Sequence, residues 1–408
     1  MAPEGLIWGG TARPLDRKEA PFERSIPRWA PAPPGVAHCA AMSPSELHVR
    51  NGRIVALFAF DIAAAIDLQS IPSVLRPERS QIIRRRPAPE YVNYVEPPVE
   101  IALGEREIEL GGEKQRAVLS ARLFDFGAVS VCFAFGFEAP LAALPALAQQ
   151  IAHADLAGLA RRALRELVQE IRPAFRELGL NELVEDYYVF ELRTVEPATR
   201  AESLLREHAS VLAATLSMDP APLSPQQIEE SLRDAISYSP DDLVVAEWSG
   251  ALVCDAHGGD TLAVLEFLNV QLLEMRFLDA RLDRALAEFS REVYRAQTLW
   301  SAVRGLYRSA IRALTELMVE VLTLSERIEN AVKLAPDVYL ARVHRRCAAR
   351  LGLPTWERLV QSKLEAVRHL TTILTERAAA RRAEALEITI IALIAVELLL
   401  AVLGRFRS

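Results

Sequence analysis

Four cysteines, Cys39, Cys132, Cys254 and Cys347, are scattered over 408 residues and form no C-x-x-C pair. That spacing gives no thiolate zinc site and no disulfide framework, and it fits reduced thiols. The G-x-x-x-x-G-K-[ST], H-E-x-x-H and G-x-S-x-G patterns are all missing, which removes the common phosphate-loop, zinc-hydrolase and serine-hydrolase signatures. Aromatic residues are 7% of the chain and are not interleaved with basic ones in any strand-like stretch, so an RNA-stacking sheet is not supported. The net charge of −7 argues against general nucleic-acid affinity. The first residues lack a basic region followed by an apolar run, so no signal peptide is expected, and Glu4, Asp16, Glu19 and Glu23 argue against a transit peptide. No proline falls between Pro240 and Pro336, which leaves that stretch free to be helical.

What is present is concentrated near residue 390. Of the seventeen residues from Ile388 to Gly404, eleven are Leu, Ile or Val and one, Glu397, is charged. At about −0.5 kcal/mol each the aliphatic residues contribute about −5 kcal/mol to insertion, against about +3 for one carboxylate. A helix over 386–404 would span about 28 Å, close to the hydrocarbon core of a bilayer. Leu386, Ile390, Ile394, Glu397 and Leu400 mark the expected membrane anchor, with Glu397 facing a partner helix or carrying a proton. From Pro336 to Ala385 there are ten Lys and Arg against five Asp and Glu, which sets the main body on the cytoplasmic side. A buried core helix is the competing reading of the same run.

The remainder divides into three parts. Residues 1–47 are rich in proline and read as extended or disordered. Residues 48–258 read as an α+β domain, ferredoxin-like in part. Its expected strands include Arg53–Phe60, Ala117–Phe124, Ala128–Phe135, Tyr187–Val195 and Leu243–Trp248. A helix is expected over Ile62–Leu68 behind an Asp61 cap, a hairpin around Gly104, and a helix from Leu156 to Leu178. Ser224 before Pro225 predicts a helix N-cap. Residues 259–385 are helical. Apolar residues recur on a 3-4 spacing through Leu272, Met275, Leu282 and Leu286 and onward to Ala331, predicting a helical hairpin or coiled coil with Gly305 as its break. Asp279 is the one charge in that seam and is expected to pair with an arginine.

Two clusters carry any hint of chemistry. Asp255, His257 and Asp260 lie in CDAHGGD and have metal-ligand types, but a Gly-Gly turn with Asp260 capping the next helix explains them as well. Arg84, Arg85 and Arg86 form a basic triplet, read as a solvated loop with RNA or lipid binding as the alternative. No cofactor is expected.

Four segments together, AFDIAAAIDL (59–68), FDFGAVSVCF (124–133), NVQLLEMRFLDARLD (269–283) and LEITIIALIAVELL (386–399), resemble the family named for "required for meiotic nuclear division" proteins, with its bacterial YagE-type members. That resemblance implies an α+β domain, a long helical region and a C-terminal membrane anchor, with eukaryotic members at the mitochondrial inner membrane supporting organellar translation. The combined expectation is a single-pass, tail-anchored, non-enzymatic scaffold or tether, placed in the bacterial inner membrane. Its helical region would mediate self-association or bind a protein partner, with RNA or a ribosome as a weaker candidate. The competing expectation is a membrane-bound enzyme with a carboxylate or metal site near Asp255–Asp260.

Overall fold

Strand β2 (His48–Asp61) is apolar on both faces, and this decides the architecture. Ile54, Ala56, Phe58 and Phe60 enter one hydrophobic cluster, and Val55, Leu57 and Ala59 enter another on the opposite side of the sheet. A strand buried on both faces needs a layer on each side. The computed structural model describes residues 28–29, 47–75, 83–84, 97–179, 181, 183–255, 259–295, 306–331 and 338–405.

Among the described residues the chain order begins with β1 (Arg28–Trp29), β2, β3 (Ala63–Ile66), α1 (Ile71–Val74), β4 (Ile83–Arg84), β5 (Val99–Leu110), β6 (Glu113–Leu123) and β7 (Ala128–Pro140). Then come α2 (Leu144–His153), α3 (Leu156–Glu170), β8 (Phe175–Leu178) and β9 (Glu185–Glu196). They are followed by α4 (Ala201–Glu207), α5 (Ala209–Ser217), α6 (Pro225–Leu232), β10 (Leu243–Ala246) and β11 (Gly250–Cys254). The last part is helical: α7 (Gly259–Arg295), α8 (Leu306–Ala331), α9 (Val338–Arg350) and α10 (Leu353–Arg405).

The sheet runs β10-β11-β9-β2-β7-β6-β5-β4, with β1 beside β7. Its pairs are antiparallel except β9–β11 and β1–β7. Helices α2, α3 and α5 cover one face through Leu147, Leu164 and Leu212. Helix α7 covers the other face through Leu265, α9 packs beside it on β10, and α8 and α10 pack on α7, all in one cluster with Leu317, Val343 and Val360. The fold is thus α+β, with a mixed sheet and its helices followed by a helical part.

Several local expectations need correction. Ile62–Leu68 is not helical. Ala63–Ile66 pairs with β8 as a small second sheet, and β8 occupies the end of the helix expected to reach Leu178. Gly104 is not a hairpin turn: β5 passes through it with φ +93° at a register shift, and the turn falls at Gly111-Gly112. Both glycines there have positive φ, as a two-residue hairpin of this hand requires. Arg84 lies in a strand opposite Glu100 and not in a loop, while Arg85 and Arg86 lie outside the described residues. The Ser224 cap is present, its hydroxyl accepting from Gln227 N at 3.2 Å. The long 3-4 seam is carried by two helices, α7 and α8, and Gly305 lies outside the described residues.

The expected membrane helix is not a separate element. Residues 386–404 are the last part of α10, which is helical from Leu353. Among the described residues no helix is long and apolar enough to cross a membrane.

Gly127 ends the turn that joins β6 to β7, against the backbone of Ile62 and Ala63. It has φ +106°, and a Cβ there would stand 1.7 Å from the carbonyl oxygen of Ala63. Gly127→Ala is expected to lower the unfolding free energy by about 1–3 kcal/mol from backbone strain alone. Urea unfolding would show this as a lower midpoint, and an unchanged midpoint would remove Gly127 as a constraint.

Candidate functional site

The most unusual surface is the end of α10. Leu386, Ile388, Ile390, Ile391, Leu393, Ile394, Val396, Leu398 and Leu400 are all more than half exposed. Successive helical side chains are about 100° apart, so Leu386, Ile394, Ile391, Ile388 and Val396 point to about 0°, 80°, 140°, 200° and 280° around the axis. The apolar surface therefore encircles the helix. An amphipathic surface helix has one apolar stripe; one that is apolar all round belongs in an apolar medium on every side. Glu397 is exposed within this segment.

A second unusual feature lies under α7. From Thr261 to Met275 this helix is almost wholly buried, yet it carries Glu266, Asn269, Gln271 and Glu274. The sheet supplies partners. Arg122 bridges Glu266 and Glu100. Arg276 holds Glu185, while Asn269 Nδ2 donates to the Glu185 carbonyl at 3.1 Å. Nearby, Arg53 Nε meets Glu191 at 2.5 Å inside the same layer. Burial pushes the Cys132 thiol beside them up to about 12. Glu274 is 1% exposed, and its Oε1, like those of Gln271 and Glu191, has no hydrogen-bond partner among the described residues. Burial, followed by the neighbouring Asp61 charge, holds its carboxyl well above the usual range.

The seam residues expected in α7 are brought together only partly as a seam. Leu272, Met275 and Leu282 are buried and Leu286 is partly so, within a cluster shared with the sheet, α9 and α10. Asp279 pairs with a lysine and not an arginine: Lys363 Nζ lies 2.7 Å from both Asp279 and Asp283.

A polar cleft of about 550 Å³ opens at the carboxyl ends of β9 and β11, where α7 departs. Such ends of adjacent parallel strands are common ligand sites. Arg193, Arg200, Asp241, Asp242, Cys254 and Asp255 line it. Asp242 is committed to structure, accepting from Tyr238 N and from the Tyr339 hydroxyl at 2.9 Å. Burial raises its carboxyl, but the bonds from Ser239, followed by those from Tyr238 N and the Tyr339 hydroxyl, outweigh it and hold the group below the usual range. Asp255 reaches this cleft, Asp260 stands in the first turn of α7, and His257 lies outside the described residues. Among the described residues no three His, Cys, Asp or Glu side chains are grouped to hold a metal ion. Sequence reading missed Arg193, Arg200 and Asp242, which come from separate elements. It also missed Glu266 and Glu274, which stand between the apolar seam positions of α7 with no motif to mark them.

The family model described as "Uncharacterized protein MJ0711, N-terminal domain" matches residues 51–261, from β2 to the first turn of α7. A relative, "Uncharacterized protein MJ0711" of Methanocaldococcus jannaschii, is 23% identical over 241 residues, covering 58% of this chain and 71% of that protein. No solved structure matches. These matches overturn the resemblance to the "required for meiotic nuclear division" and YagE-type family. The four short segments that carried it are mostly apolar core and helix sequence, which unrelated chains can share.

Glu274 gives a signed pH prediction. Its folded carboxyl titrates above its unfolded value of about 4.3. The folded state then binds the extra proton, and this group's contribution erodes stability as pH rises above that value. Glu274→Gln is expected to flatten the fall in unfolding free energy between about pH 5 and pH 8 and to be the more stable form at the upper end. Denaturation across that range tests it; equal slopes in the two proteins would show that Glu274 is not the responsible group.

Proposed function

The chain belongs to the family described as "Uncharacterized protein MJ0711, N-terminal domain", and from that premise we propose that the shared sheet domain is the body of a non-enzymatic scaffold held at a membrane by the end of α10. The observation that carries this reading is the ring of nine exposed aliphatic side chains from Leu386 to Leu400. The described side chains form an unbroken run only over 386–398, about 20 Å of helix, short of a bilayer. The sequence continues the run through Leu399, Val402 and Leu403 within the same helix, which brings it to spanning length. The excess of basic residues before the run supports a cytoplasmic body.

The antiparallel path β9-β2-β7-β6 supports a ferredoxin-like centre to the sheet, with α2 and α3 crossing between β7 and β9. The helices beyond residue 261 present the partner-binding side. Val319 and Leu322, 59% and 53% exposed on α8, are the apolar positions offered to a protein partner or a second copy.

Ile390→Arg with Ile394→Arg adds about 5–7 kcal/mol to the cost of insertion, more than the run supplies. Both positions are exposed, so the body is expected to fold unchanged. The unmodified chain should stay in the membrane pellet through carbonate and high-salt washes, and the double variant should move to the supernatant. Finding the unmodified chain in the supernatant would reject the anchor.

A further inference from the structure

A second cavity, of about 320 Å³, lies at the opposite end of the β9–β11 pair from the polar cleft. Its origin is topological. β11 first meets β9 where Gly250 stands opposite Tyr188, so Glu185–Tyr187 run past the start of β11 and leave a recess beside them. The turn between β10 and β11 carries Trp248 to the rim, 53% exposed. That ring is not loose on the surface. It lies beside the turn before α10, where a Cβ on Gly352 would stand 3.8 Å from its Cζ3. Its backbone N donates to Glu247 Oε2 at 3.1 Å, and Glu247 is gripped by Arg350.

The charges in the recess are unequally engaged. Glu185 and Arg276 neutralise each other at its inner wall. Asp186 is exposed; it accepts from the Tyr188 hydroxyl and makes no ion pair among the described residues. Asp186 lines the cavity from the face of the sheet that carries Phe58 and Tyr188, and Trp248 lines it from the side of Gly352 and α10, so a ligand cation with a stem can reach across the open edge of β9 from one to the other. The indole packs against the stem, and the carboxylate supplies a charge-assisted hydrogen bond. An anion would meet Asp186 and gain only Arg276, which Glu185 already holds.

We propose that this recess binds an alkylguanidinium or alkylammonium group, with Asp186 as the counter-ion of its head and Trp248 packed against its stem. The volume is at the lower end of the range for ligand pockets, enough for one cationic head and part of its stem. The group comes either from a free small-molecule cation or from an arginine or lysine side chain on another polypeptide. The site does not depend on the membrane reading, since none of its residues lies in the apolar end of α10.

The test is ligand-observed NMR and calorimetry on the purified full-length chain, with agmatine and a doubly blocked arginine tripeptide as probes. Saturable binding is expected at about millimolar midpoint or tighter. Asp186→Asn and Trp248→Leu should each weaken it by about tenfold or more. Both side chains are exposed, so melting temperatures should stay with the unmodified protein. Tighter binding of agmatine, which carries an amine and a guanidine, identifies a free small-molecule cation as the source, and tighter binding of the tripeptide identifies a side chain. No saturation, midpoints unchanged in both variants, or a preference for glutarate over agmatine would overturn the proposal.

Discussion

The structure depends on how α7 is enclosed. Between Leu262 and Leu278 this helix has apolar side chains on every side, so it cannot lie on a surface. The sheet covers it from below through Val55, Leu57 and Val189, and α9 and α10 cover it from above. The helical part is therefore no independent stalk attached to a sheet domain. It is the second layer that the doubly apolar strands require. Without it, Tyr187, Val189 and Val253 would face water, and without the sheet α7 would.

Enclosure carries an electrostatic cost. A buried charge is tolerated when an opposite charge and hydrogen bonds answer it, and removing one partner of such a pair costs about 3–5 kcal/mol. Here the answers come from strands far apart in sequence: Arg122 on β6 for Glu266, Glu185 on β9 for Arg276, and Arg53 on β2 for Glu191. The first two pairs fix where α7 sits along the sheet, because a shift by one helical turn would strand both at once, while the third ties β2 to β9 beneath it. Glu274, beside Asp61 and with no cation against it among the described residues, is the weak point of that layer.

The same long-range character explains what could be read in advance. β2, β6, β7 and β9 were legible because each is a short apolar run between turn residues, and the α7–α8 region because its 3-4 spacing is long and free of proline. The Ser224 cap is a local interaction and was legible for that reason. Ala63–Ile66 was not: AAAI has helical propensity, and only pairing with Phe175–Leu178, more than a hundred residues on, makes it a strand. Asp279 looked like a seam charge awaiting an arginine, but the partner that arrives is Lys363 from α10. The two cavities were invisible, since each is formed where β9 extends beyond one end of β11, a matter of register and not of motif.

The end of α10 repeats the sequence character of α7 without its surroundings. Fully burying one Leu, Ile or Val side chain is worth about 1.5–3 kcal/mol. Nine such side chains left more than half exposed therefore forgo roughly 10 kcal/mol, as much as the whole stability of an ordinary domain. A groove on a partner would cover one stripe of about 100° and leave the remainder in water. A bundle of several helices could enclose it, but Glu387 and Glu397 would then need cationic partners of the kind the sheet provides for α7. A bilayer encloses the helix from all directions at once, lets Glu387 sit near the headgroups, and leaves Glu397 to a neighbouring helix or a proton. The two helices thus pose one physical problem, an apolar cylinder that water cannot surround, and the described residues enclose only the first.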